Sequence, residues 1–186
     1  MKRGNLKSTV YISAFAALMV LGVFIRIPLG PVPIVMTNFF VLLAGYLLGP
    51  VSGSAAVLLY LFLGAAGLPV FSAGGGAALF LGPTGGYLAG YLPAALLTGF
   101  LADKNRRNKT WADILIFTLG ALIIYLPGVL WLSHVTGLPF KASLQTGMLP
   151  FLPGDILKIA AATAVARRLK NYLPELFPPA KNGRDQ

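Results

Sequence analysis

Charged side chains are confined to a few short islands, and the apolar stretches between them are too long for a soluble helix. From Ile27 to Ala102 there is no Asp, Glu, Lys, Arg or His across 76 residues, and a second charge-free run extends from Ile114 to Ser133. A helix needs about 20 apolar residues to cross a bilayer, so the long run holds several crossings and a surplus rich in Gly and Pro. The pattern predicts helices over residues 8–27, 35–49, 52–66, 84–102, 112–132 and 150–169. The second and third are short and meet at Gly-Pro-Val-Ser-Gly, 49–53, which reads as a tight turn. The fold class expected is all-α, an integral membrane protein of six transmembrane helices. Residues 1–170 form its single domain, and 171–186 form a short, partly disordered cytoplasmic tail. Basic residues precede the first apolar segment as in a signal peptide, but no small-residue cleavage site and polar mature domain follow, so it reads as a retained helix.

Charge supports this count. Lys and Arg collect in short cytoplasmic loops near helix ends. Lys2, Arg3 and Lys7 precede the first helix, Lys104, Arg106, Arg107 and Lys109 separate the fourth from the fifth, and Arg167, Arg168, Lys170, Lys181 and Arg184 follow the sixth. Twelve of the fifteen basic residues therefore fall on one side only if the helix number is even, which places both termini in the cytoplasm. The net charge of +10 is thus explained by topology, since no soluble domain gathers it into a nucleic-acid surface. A hydrophobic fraction of 56% and a mean hydropathy of +0.77 exclude a soluble domain. The absence of Cys excludes disulfides and thiolate metal sites.

Little in the chain suits catalysis. No Gly-Lys pair exists, so the phosphate-binding loop of a P-loop ATPase is absent. His134 is the sole histidine and reads as an interfacial residue, leaving no catalytic dyad and no metal site. The expectation is a protein that is not an enzyme and carries no cofactor of its own.

Two stretches remain. Gly74, Gly75 and Gly76, followed by Gly82, Pro83, Gly85 and Gly86, break the chain before the fourth helix. Irregular backbone at membrane depth survives only where it is buried in protein or lines a cavity, so this run is expected to cover a pocket. The other is Pro-Phe-Leu-Pro-Gly-Asp-Ile-Leu-Lys, 150–158. It sets Asp155 in the first turn of the last helix and Lys158 one turn deeper on the same face. Each charge costs roughly 2.5 to 3.5 kcal/mol in lipid, so something answers them. Either they form a self-satisfied pair that locks helices, or they project into a cavity and hold a polar ligand whose remainder is apolar.

The segments "RIPLGPVPI", "VLLAGYLLGP", "GLPVF", "GGG", "GPTGGYLAGY" and "LPFLPGDILK" closely resemble the BioY biotin-transport proteins, in order, from about residue 9 to 170. The resemblance implies a substrate-binding S component of an energy-coupling factor (ECF) transporter in a prokaryotic plasma membrane, with biotin bound near the extracytoplasmic face. It gives Asp155 and Lys158 a role in holding biotin, and makes the loop of Gly74, Gly75 and Gly76 a cover over the ligand. Phe71 and Tyr87 are added because aromatic faces suit apolar fused rings. Family members often carry Thr and Gln after the Val-Pro-Ile motif, whereas Thr37 and Asn38 follow here and are the candidates for the missing hydrogen bonds. The pose, with Lys158 toward the ureido group or the valerate carboxylate, is left open. The implied partners are biotin, a transmembrane coupling subunit, two cytoplasmic ATPases that alone use ATP, and membrane lipid. Ser13, Ala14 and Ala17 on the first helix form the small-residue patch for docking, with Ser13 where family members commonly show Ala. Gly86 and Gly90 are compatible with a homo-oligomer or with the root of the loop. An S component for another vitamin, or an assembly protein whose polar pair locks helices, are the alternatives.

Overall fold

The computed structural model describes residues 3–27, 32–105 and 109–172. Helix α1 (Arg3–Phe24) leads into a two-residue antiparallel pair, β1 (Arg26–Ile27) against β2 (Ile34–Val35), with Arg26 opposite Val35. Then follow α2 (Thr37–Ala65), a 3-10 turn (Ala77–Leu81), α3 (Gly85–Lys104), α4 (Thr110–Thr136), the short α5 (Phe140–Gly147), a second 3-10 turn (Leu149–Phe151) and α6 (Leu152–Tyr172). Five helical stretches among the described residues are long and apolar enough to cross a membrane, the last joining α5 to α6.

α2 is not a straight rod. Gly49, at φ 79° and ψ 176°, leaves helical geometry in a region essentially reserved for glycine, and Pro50 follows it. A Cβ added to Gly53 would stand 2.7 Å from the Cα of Gly45. Eight residues of continuous helix rise about 12 Å, so that closeness requires the chain to double back. The legs 37–48 and 50–65 lie against each other and correspond to the second and third expected helices.

This reversal sorts the molecule into two ends. One gathers the β1–β2 pair, the loop after α2, and the start of α6: Arg26 donates to the Ser72 carbonyl, and Lys158 Nζ donates to Val35 O at 2.9 Å. At the other, Ser8 Oγ is 3.4 Å from Ser52 Oγ, and Arg167 is 3.0 Å from Asp113. Asp113, fully buried, also accepts from Asn105 at 2.7 Å and Tyr46 at 2.5 Å, and Lys170 Nζ lies 4.0 Å from the centre of the Tyr46 ring. Between the ends run the buried side chains of Met19, Val41, Val57, Tyr60, Phe117 and Leu132. Exposed Val51, Phe62, Leu126, Ile156 and Leu157 face outward, as lipid allows.

α1 begins at Arg3, before the expected 8, and α4 runs on to Thr136, past the expected 132; three further features depart from the sequence expectations. α1 stops at Phe24, three residues short of the expected 27, because the chain turns into β1. α5 occupies the gap between the fifth and sixth expected helices; at eight residues, with Lys141, Ser143, Gln145 and Thr146, it is too short and polar to read as a crossing. α6 passes the expected boundary at 170 to reach Tyr172. The rest of the 171–186 tail lies outside the described residues, as do Lys2, Arg106, Arg107, Lys181 and Arg184.

Candidate ligand-binding site

The first two turns of α6 place Asp155 and Lys158 side by side, with Asp155 5% exposed. Lys158 Nζ donates to Val35 O at 2.9 Å, Asn38 Oδ1 at 3.2 Å and Asp155 Oδ1 at 3.4 Å. Asn38 Nδ2 donates to the same Asp155 oxygen at 3.5 Å, and the Tyr125 hydroxyl donates to Asp155 Oδ2. An ammonium has three donors, so Lys158 is saturated, while a carboxylate with about four acceptor sites keeps one free. β2, α2, α4 and α6 thus meet at one closed polar cluster.

Lys158, Asn38 and Val35 form one wall of a narrow, open-mouthed cavity. The remaining walls are largely aromatic: Tyr60, Phe71, Tyr87, Tyr91, Tyr125 and Phe151. Their hydroxyls are engaged elsewhere where it matters for shape. Tyr60 donates to Val70 O at 3.0 Å and Tyr87 to Gly147 O at 2.8 Å. Tyr87 meets Tyr125 edge-to-face at 6.3 Å, and Phe71 meets Tyr60 in the same way at 5.5 Å. Such an arrangement offers an apolar body one polar end.

Of the residues singled out from sequence, Lys158, Asn38, Thr37, Phe71 and Tyr87 come together around this cavity. Thr37 commits its hydroxyl to Met19 O at 3.1 Å, tying α2 to α1, so it holds a wall in place. Asp155 lies one layer behind, in a small adjoining gap shared with Asn38 and Lys158, and orients both. Gly74, Gly75 and Gly76 do not line the cavity. Gly74 exchanges backbone hydrogen bonds with Phe71 at 2.8 and 3.0 Å, and a Cβ on Gly75 would fall 2.1 Å from Leu68 O. The glycines fold the loop tightly and so deliver Phe71 and Ser72 to the cavity. Ser13, Ala14 and Ala17 are exposed on α1, whereas Ala16 faces the core.

Sequence reading missed Tyr125, Tyr60 and Tyr91. An aromatic in an apolar helix looks like packing, and only the acceptor opposite Tyr125 reveals its polar duty. Among the described residues, no cluster of three or more His, Asp or Glu could hold a metal.

The BioY family model matches residues 1–175. The chain is 42% identical over 157 residues to the biotin transporter BioY of Thermotoga maritima, covering 84% of this chain and 91% of that one. It is 40% identical over 165 residues to the probable biotin transporter BioY of Pyrococcus horikoshii, covering 88% and 96%, and 42% identical over 181 residues to the biotin transporter BioY of Rhodobacter capsulatus, covering 90% and 95%. A crystal structure at 2.1 Å of the S component for biotin from an ECF-type ABC transporter superposes with a TM-score of 0.86 at 35% identity, over 92% of this chain and 94% of that one.

Proposed function

Since this chain belongs to the BioY family, we propose that it is a biotin-binding S component of an ECF-type transporter, taking up biotin across a prokaryotic plasma membrane. The observation that carries the reading is the cavity, which joins the Asp155, Lys158 and Asn38 cluster to an aromatic lining. Biotin has that division: a ureido group with two N–H donors and a carbonyl acceptor, and an apolar ring and chain. The Asn38 amide, held in place by Asp155 behind it, suits the ureido group, and the rings of Tyr87, Phe71 and Tyr125 suit the rest.

In this reading the two legs of α2 each cross the bilayer, giving six crossings with both termini cytoplasmic. The support is the reversal at Gly49 and the cations Lys7, Lys104, Lys109, Arg167, Arg168 and Lys170 at the end away from the cavity. The chain is a transport subunit, not an enzyme, and holds no cofactor. A transmembrane coupling subunit and two cytoplasmic ATPases supply the energy, with Ser13, Ala14 and Ala17 as the docking face, because exposed small residues let another helix approach closely.

The internal saturation of Lys158 favours one second reading, in which the polar cluster only locks helices. Calorimetry of biotin with the detergent-purified chain, on wild type, Asp155→Asn and Lys158→Ala, separates the two, with thermal unfolding as the folding control. Biotin affinity lost in folded variants supports the vitamin site. A folded wild type that does not bind biotin, together with variants that unfold, leaves the helix lock.

A further inference from the structure

Lys158 is poorly placed to hold an anion. Its three donors are engaged, and Asp155 Oδ1 sits 3.4 Å from its Nζ, so an arriving carboxylate meets a carboxylate. Biotin nevertheless carries a carboxylate at the end of its chain. The described cations at the cavity end are Arg26, Lys141 and Lys158, with the titratable His134 nearby. His134 lies against Trp131, 5.7 Å between rings, and Lys141 starts α5 beyond the cavity wall. Arg26 is different. It is exposed, pairs in the β ladder with Val35, whose carbonyl holds Lys158, and donates through Nη1 to the carbonyl of Ser72, which lines the cavity. Two cavity-lining residues therefore flank it. A guanidinium has five donors in a fixed fork that matches a carboxylate bidentately, and Arg26 spends one on Ser72 among the described residues.

Resting on the biotin reading, we propose that Arg26 recognises the ligand's carboxylate at the mouth of the cavity. The ureido end then lies at the Asp155, Lys158 and Asn38 cluster. By holding Ser72 and the carboxylate with one fork, Arg26 also couples the arrival of an anionic ligand to the position of the glycine loop.

The test is calorimetry of the full chain in detergent with biotin and with biotinamide, which replaces the carboxylate by a neutral carboxamide. Wild type is expected to favour biotin by at least about tenfold, the worth of a charge-assisted hydrogen bond. Arg26→Gln is expected to lower biotin affinity by a similar factor, leave biotinamide within about threefold, and so erase the preference, while Arg26→Lys keeps part of it. An equal loss for both ligands in Arg26→Gln would reduce Arg26 to a clasp on the loop and overturn the assignment. So would a wild type that binds both ligands equally, a result independent of whether any variant folds. A folded wild type that binds neither overturns the biotin reading instead.

Discussion

Tyr125 shows how much a single hydroxyl carries at this site. It donates to Asp155, and its ring also lines the cavity. Tyr125→Phe keeps the ring and removes the donor, so biotin affinity is expected to fall about tenfold, the scale of a hydrogen bond to a charged acceptor. The melting temperature should fall as well, because the buried Asp155 carboxylate loses a donor; calorimetry beside thermal unfolding checks both, and unchanged affinity would refute the role. Asp155 and Lys158 were legible in sequence because charge in an apolar run demands an answer. Phe71 and Tyr87 were reachable from the chemistry of a ring-binding pocket. Tyr125 and Arg26 were not, because their meaning comes from partners 30 and 46 residues away. Gly74, Gly75 and Gly76 were legible as a break in the chain, but whether glycine serves a ligand or the loop's own backbone depends on the Leu68 carbonyl beside Gly75.

The helices were largely visible in the apolar runs, and the reversal inside α2 was visible in Gly49 and Pro50. The β1–β2 pair was not, since two-residue strands leave no periodicity, and α5 was hidden by its polar face. Gly49→Ala places a Cβ where φ is 79° and is expected to cost about 1 to 3 kcal/mol, read as a lower melting temperature in detergent. The opposite end depends on Asp113, which joins Tyr46 of α2, Asn105 after α3, and Arg167 of α6. Arg167 is partly exposed, so losing Asp113 is expected to cost about 1 to 3 kcal/mol for each buried donor left unpaired rather than the full cost of a stranded buried charge. Asp113→Ala should therefore destabilise the fold strongly while, in variant that remains folded, biotin affinity stays near wild type. A melting temperature equal to wild type would show that this network contributes nothing to holding the helices.

For the whole molecule, ligand capture and energised movement fall on different surfaces in the proposed reading. The cavity lies at one end, whereas Ser13, Ala14 and Ala17 face outward along α1. Ala17→Trp is expected to leave biotin binding intact and abolish uptake in cells that supply the partner subunits; equal loss of both would sink the docking role. The two-ended plan was legible from the spacing of basic islands, but the inward side of each helix was not, because in lipid both faces are apolar and hydrophobicity no longer marks the core. The link from Lys158 to Val35 and Asn38 spans 123 and 120 residues. During synthesis at about 5 to 20 residues per second, Asn38 leaves the ribosome on the order of 6 to 24 seconds before the lysine that completes its hydrogen bonds. A nascent chain that has not yet made α6 has no Lys158 to close the bonds to Val35 and Asn38, so this polar wall of the cavity is completed late in synthesis.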